Sequence, residues 1–340
     1  MVRKEMTNLA IPHPYHLDNW QKSLSDLITN PNELIAIAKL DPKNSRFSKL
    51  ATQIFPLKVP RQFAALIRPG DWDDPILAQI LPKVDENSHS TSHSHDPLKE
   101  AQFTPETGLL HKYKNRVLLI TAPHCAVNCR YCFRRHYDYQ TNSPSQIEWE
   151  QTFDYIHRNK DIEEVIFSGG DPLALSDRRL AWLINQVEGI SHVATLRIHT
   201  RLPIVIPQRI TKEILEKFKN SKLKIVLVTH CNHANELTKI TEHAFAKLHK
   251  AGVLLLNQSV LLANINDKSL TLAALSKKLF SQNILPYYLH MPDAVQGTQH
   301  FAVTEHKAKE IMEELRGLLS GYLVPTLVRE DPGAPSKTRV

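Results

Sequence analysis

The stretch from His124 to His136 carries three cysteines, Cys125, Cys129 and Cys132, spaced Cys-x3-Cys-x2-Cys. A loop this short can turn its thiolates toward one small object, and iron–sulfur clusters are bound through such thiolates, usually four. Three thiolates on a four-iron cubane would leave one iron open. That iron could hold a small molecule through its amino and carboxylate groups. The other chemistry open to the loop is a zinc site, with His124 or His136 completing a Cys3His set. Zinc ligands usually come as two pairs, and no second cysteine pair exists here; the fourth cysteine, Cys231, reads as a small buried residue. Gly169 and Gly170 lack Cβ atoms, so a ligand can approach the backbone closely there. His89, His93 and His95 sit in the polar run Asn87 to Asp96. A histidine cluster can bind metal, but no ordered scaffold fixes these three, and the run reads as a flexible, solvated linker.

The elements that must position these residues follow from periodicity. From Arg116 onward, strands alternate with helices. The expected strands are Arg116 to Ala122, Glu164 to Ser168, Val193 to Thr200, Leu223 to Thr229, Val253 to Val260 and Ile284 to His290. The expected helices are Ile147 to Arg158, Asp177 to Val187, Ile210 to Lys219, Asn235 to Lys250, Leu270 to Ser281 and Glu305 to Leu319, with Gly252 placed to end the fourth. Six β/α units argue a parallel sheet covered by helices, either open or closed into a barrel. In both, ligands sit at the carboxyl ends of the strands. The cysteine loop follows the first strand, Gly169-Gly170 the second, His199 to Arg201 the third and His230 to Asn232 the fourth. Gln258 falls late on the fifth, and Asp293 just after the sixth. Residues 1–100 read as short helices at Ser23 to Ile28, Asn32 to Leu40 and Pro75 to Leu81, broken by prolines, forming an outer layer.

The cysteine loop resembles the cluster-binding loop of radical S-adenosylmethionine (radical SAM) enzymes. The resemblance implies a partial (β/α)6 barrel, with a [4Fe–4S] cluster on Cys125, Cys129 and Cys132 and SAM on the open iron. The narrower resemblance, over roughly residues 97–340, is to the lysine 2,3-aminomutase family. It is carried by Tyr113 to Val117, the cysteine loop through Arg134-Arg135, Gly169 to Leu173, Leu196 to Arg201, Thr229 to His233, Asn257 to Leu262, Ser320 to Tyr322 and Pro332 to Thr338. Such enzymes add pyridoxal phosphate (PLP), which needs a lysine amine to carry it. The resemblance implies Lys337 for that role, and Arg116 and Gln258 for the PLP phosphate. It places Ser168, Gly169, Gly170, Asp171, His230 and Asn232 in the cofactor-binding set. Arg134 would pair with the carboxylate of an L-lysine substrate, and Asp293 and Glu330 would hold its distal ammonium. Glu330 departs from the aspartate of the fermentative mutases by one methylene. The implied reaction moves the amino group of lysine from Cα to Cβ.

By the same resemblance the domains are an N-terminal helical extension and linker (1–100), a radical SAM core (101–320) and a PLP-lysine segment (321–340). The Pro-Ser-Lys-Thr ending is similar to that of the short bacterial mutases that make (R)-β-lysine for elongation factor P. That implies functional links to the factor, to its lysyl ligase and to an electron donor such as flavodoxin or ferredoxin. The rival expectation is a radical SAM enzyme that modifies RNA or a peptide, without PLP and with Lys337 a plain tail residue.

The totals bound these readings. The chain has 340 residues, 42% of them apolar, enough for a full core. Four cysteines, three of them clustered, fit a reducing compartment rather than a disulfide framework. Met1 to Trp20 has no apolar run of the signal-peptide kind, and no stretch is long enough to span a membrane. The expectation is a cytoplasmic protein with no membrane partner. A net charge of +7 permits an acidic partner, but no aromatic–basic motif of RNA-binding domains is present, and no nucleic acid is expected.

Overall fold

The computed structural model describes residues 19–139, 142 and 144–340; the expectation for the leading segment lies largely outside them. Residues 19–103 form a layer of short elements. A two-stranded ribbon, β1 (Leu27–Ile28) and β2 (Val59–Pro60), is antiparallel. Around it lie α1 (Trp20–Ser25), α2 (Pro31–Ile37), α3 (Lys49–Ile54), α4 (Arg61–Ala64) and α5 (Pro75–Ile80). The prolines fall at helix starts in α2 and α5, where a missing N–H costs nothing. The expected helix at Ser23 to Ile28 is thereby corrected: Asp26 ends α1, and Leu27 and Ile28 pair with β2.

One nine-stranded sheet builds the rest. It runs from β3 (Leu109–Tyr113) through β4 (Arg116–Ala122), β5 (Glu164–Gly169), β6 (Thr195–Thr200), β7 (Lys224–His230), β8 (Leu254–Val260), β9 (Leu285–His290) and β10 (Thr326–Arg329) to β11 (Thr338–Arg339). Neighbours from β4 to β10 are parallel, while β3 and β11 lie antiparallel on the two edges. All six expected strands are present. The pattern missed a seventh parallel strand, β10, and both antiparallel edges, which are short. The sheet is open: β3 and β11 do not pair with each other.

The crossovers are α6 (Gln146–Arg158), α7 (Asp177–Glu188), α8 (Leu202–Val205) with α9 (Lys212–Lys219), α10 (Lys239–Lys250), α11 (Ser269–Ser281) and α12 (Glu305–Leu318). Helices α6, α7, α9, α10 and α12 each start after a Ser or Thr whose hydroxyl accepts from a backbone N–H in the first turn. The expected helix from Asn235 begins instead at Lys239, because Ala234–Glu236 forms a 3-10 turn and Thr238 caps α10. Gly252 ends α10 with φ +81°; its N–H donates to His249 and that of Val253 to Leu248, a Schellman closure.

Strand alternation decides which side chains face the helices and which face the interior of the curl. On β6, Leu196 and Ile198 are fully buried, whereas Arg197 and His199 line a cavity. The outer layer packs into the same core: Trp20, Ile28, Phe63 and Ile76 belong to one buried cluster with Val117, Phe167 and Leu227. The His89 to His95 run is docked rather than loose. Ser94 forms a bridge with Val295, Gln296 Nε2 donates to the carbonyls of Ser90 and His93, and His95 stacks on His136 at 4.2 Å. The three histidines of this run are not arranged to hold a metal ion.

Candidate active site

The cysteine loop leaves the end of β4 and is held from outside by the N-terminal layer. The Asn128 N–H donates to the Lys58 carbonyl and its side-chain amide to Pro56; the Arg130 N–H donates to Gln79. The Arg130 guanidinium is fully buried, forks onto Glu86 at 2.9 and 2.6 Å and donates to the carbonyls of Phe55 and Ala51. Arg135 reaches the same Glu86 at 2.7 Å. Arg134 forks onto Glu100, at 2.8 Å for each contact, and turns its remaining amino group to Ser168. Each loop arginine thus has a carboxylate, which makes burying its charge tolerable. Burial would raise the Glu100 carboxyl, but Arg134 and Lys112 outweigh that and hold it below the usual range.

The thiols of Cys125, Cys129 and Cys132 line one cavity of about 460 Å³. Burial pushes the Cys125 thiol up, and that of Cys132 up to about 11. The glycine pair closes onto this loop. A Cβ on Gly170 would lie 2.3 Å from the His124 carbonyl oxygen, and one on Gly169, whose φ is +113°, 2.9 Å from that of Ala122. Here the missing Cβ atoms let two strand ends approach each other. Asp171 then braces the rim. Its carboxylate accepts from the Thr200 hydroxyl and from the backbone N–H groups of Leu173, Arg201 and Leu202, which engages its acceptor sites internally. Asn232 is similarly engaged, donating to Gln79 and accepting from the Val260 N–H.

The opposite wall comes from the far strands and the C-terminal segment. Lys337 is ion-paired with Glu330, which also accepts from the Tyr113 hydroxyl at 2.6 Å and lies 3.9 Å from Lys112. Burial would raise Glu330, but Lys337, Tyr113 and Lys112 hold it low. Asp293 lines the same wall, and burial lifts its carboxyl to about 7 despite Lys337 nearby. Arg116 stacks over Tyr113 at 4.2 Å and donates to Asn115. Gln258 donates to Nε2 of His230 at 2.6 Å, and burial drives His230 down to about 3, so that ring is neutral. His199 and His290 also line the cavity. Nε2 of each is buried without a hydrogen-bond partner.

Every residue that the family resemblance assigns to cluster, cofactor or substrate therefore lines one cavity, whereas His89, His93, His95, His136 and Cys231 do not. Two places differ from expectation. The cavity follows the inner face of the sheet below the carboxyl rim, reaching Arg116 at the start of β4 and Arg197 midway along β6. The supporting acids Glu86, Glu100 and Glu236, with Gln79, were not singled out. They lie in regions with no motif, and only the fold pairs them with their arginines.

Residues 119–271 match the Radical SAM superfamily. The chain is 48% identical to an L-lysine 2,3-aminomutase of Escherichia coli, over 94% of both chains. It is 46% identical to that of Haemophilus influenzae, over 94% of this chain and 95% of that one, and 35% identical to that of Clostridium subterminale, over 95% and 78%. The fold and the three-cysteine loop are those of a radical SAM enzyme, a class whose membership implies a [4Fe–4S] cluster and SAM. Within that class, identity along nearly the whole chain decides the narrower question: the protein belongs to the lysine 2,3-aminomutase family and is an isomerase. Three cysteines lining one cavity are the donor set that such a cluster takes. Two orphaned imidazole nitrogens and an amine on the facing wall fit a polar cofactor.

Proposed function

We propose that the protein converts L-lysine to (R)-β-lysine, using a [4Fe–4S] cluster on Cys125, Cys129 and Cys132, SAM, and PLP carried by Lys337. The observation that supports this reading is a single cavity with three thiols on one wall and Lys337, Glu330 and Asp293 on another. Lys337 is no free tail residue: its side chain is only 25% exposed and ion-paired. Bound SAM would supply a hydrogen-abstracting radical, and PLP the π-system across which nitrogen migrates.

The chain's own groups do the holding. Arg134, fixed by Glu100, keeps one amino group toward the cavity for the α-carboxylate of lysine. Asp293 and Glu330 are the acids for the distal ammonium. When that ammonium arrives, Asp293 releases to cavity water the proton that burial lets it keep near neutrality, and Glu330 exchanges its Lys337 partner for the substrate. Arg116 and Gln258 are the donors for a phosphate, with Tyr113 stacked to keep Arg116 in place. Leu98, Leu110, Ile166 and Val260 supply apolar wall that limits water around reactive species. Ser168, Gly169 and Gly170 border the thiols on the side where SAM would lie. The proposed pathway role is supply of β-lysine for ligation onto elongation factor P in the cytoplasm. Electrons would come from a flavodoxin or ferredoxin.

The test is a visible spectrum of anaerobically purified, reconstituted protein before and after borohydride, with the modified peptide mapped. The expected result is an iron–sulfur shoulder, a PLP band reduced onto Lys337, and β-lysine formed from lysine when SAM and a reductant are added. An iron–sulfur signal with no PLP on Lys337, even after added PLP, would overturn the aminomutase reading in favour of RNA or peptide modification. Transfer of the product to the factor by its ligase tests the pathway role separately.

A further inference from the structure

One buried cation at the cysteine loop belongs to none of the roles above. Arg201 follows β6, and Asp171 fixes its backbone, accepting from its N–H at 2.7 Å. The residue is only 4% exposed. One amino group donates to Sγ of Cys129 at 2.7 Å and to the Tyr131 hydroxyl at 2.8 Å. The other donates to Oε1 of Gln79 and Oε2 of Glu236, both at 2.8 Å. Glu236 cannot follow a moving partner, because its Oε1 already accepts from Gln79 and from the N–H groups of Asn232 and His233. The guanidinium also lies over the Phe63 ring at 5.3 Å. Its orientation is therefore set by four elements at once. Arg130, Arg134 and Arg135, which belong to the loop, spend their donors instead on Glu86, Glu100, backbone carbonyls and the Ser168 hydroxyl.

We infer that Arg201 is a positioning residue for the cluster: it fixes the Cys129 sulfur and raises the cluster's reduction potential through its hydrogen bond. The inference rests on the reading of Cys125, Cys129 and Cys132 as cluster ligands. The step concerned is uptake of one electron by the oxidised cluster from an external low-potential donor; no bond breaks and no proton moves. The added charge spreads onto the sulfur ligands, so a donor already aimed at one of them stabilises the reduced form more than the oxidised form. Burial strengthens the effect. Glu236 offsets part of the cation's charge but sits on the guanidinium edge away from the sulfur.

The experiment compares reconstituted wild type with two variants, by redox titration with dithionite followed by electron paramagnetic resonance. Arg201→Gln with Glu236→Gln removes the pair together, leaving no lone buried charge. Arg201→Lys keeps the charge but not the fork that reaches sulfur and carboxylate at once. Both are expected to hold iron and sulfide, with the equilibrium constant for reduction lowered about tenfold in the double variant, a midpoint about 59 mV more negative. Arg201→Lys should move the same way. An unchanged midpoint in a variant that holds its full cluster overturns the inference and leaves Arg201 a brace. Should neither variant hold a cluster, wild type carrying guanidinium-15N arginine answers the question. Coupling of 15N to the reduced cluster in pulsed resonance is expected, and its absence overturns the inference. Failure of wild type itself to take up a cluster would instead overturn the assignment of the three cysteines, and this inference with it.

Discussion

Glu86→Gln removes one negative charge and leaves every side-chain volume in place. The Glu86 carboxylate faces the guanidiniums of Arg130 and Arg135, and all three side chains are no more than 1% exposed. In the variant one carboxylate oxygen becomes an amide that points donors at donors. Removing one partner of a buried ion pair costs about 3–5 kcal/mol. Two guanidiniums lose their counter-charge here, but each retains backbone carbonyl acceptors, so the expected loss is about 4 kcal/mol rather than twice that. Against a total stability of about 5–15 kcal/mol this is a large share. With a urea slope of about 3 kcal/mol/M, the midpoint falls by about 1.3 M. Trp20 and Trp72, buried in the N-terminal layer, report the transition by fluorescence. Glu216→Gln is the control: its contact with Lys212 is exposed on both sides, and the expected change is below about 0.5 kcal/mol. Cluster uptake should fall in the Glu86 variant and not in the control. A Glu86→Gln protein within about 1 kcal/mol of wild type, with full iron content, would refute the reasoning. The loop would then be held by its backbone bonds and apolar contacts.

Gly170→Ala places a methyl 2.3 Å from a backbone oxygen that cannot yield. The expected cost is about 3 kcal/mol, the upper end for overpacking, with reduced iron uptake on reconstitution. Gly252→Ala, at φ +81° but with open space around it, should cost only about 1 kcal/mol and leave iron uptake unchanged; denaturation and iron analysis check both. Asp293 titrates near 7 when folded and near 3.8 when unfolded, so the folded state binds the extra proton between those values. Its contribution to stability is fully present below about pH 4 and lost as pH rises through 7. That displacement corresponds to about 4 kcal/mol. The carboxyl borders a water-accessible cavity, and about 1–2 kcal/mol is expected after screening. Denaturation of wild type and Asp293→Asn across pH 4–8 should show the variant gaining that much relative stability. A flat difference would place the Asp293 titration elsewhere.

Much of this architecture was legible because it is local. The apolar runs at Leu223 to Thr229 and Val253 to Val260 are of strand length, the first of them rich in β-branched residues, and Ser and Thr caps mark helix starts. The three cysteines and the glycine pair announced themselves by spacing and by their place after successive strands. What stayed hidden depends on contacts distant in sequence. Glu86 sits 44 residues from Arg130, and nothing near either one advertises the other. Glu236 is a turn residue until the fold brings it to Arg201. The His89 to His95 run looked loose because its partners, Ala294 to Gln296, come some 200 residues later. The glycine pair does follow the second expected strand, yet its sequence could not tell that strand ends crowd it. Strands β10 and β11, of four and two residues, are too short for a period to register.

Among the described residues, the two margins of the sheet are joined by side chains at one carboxylate. Tyr113 and Lys112, on one edge strand, reach Glu330 just beyond the other limb, and Lys337 fastens to the same carboxylate. The scaffold is thus a split ring with a clasp. Separating its margins parts one phenol and one ammonium group from a single acid, whereas parting any two neighbouring strands would tear a ladder of backbone bonds. The acid on which that seam closes is also the partner of Lys337, the lysine proposed to change partners at each turnover.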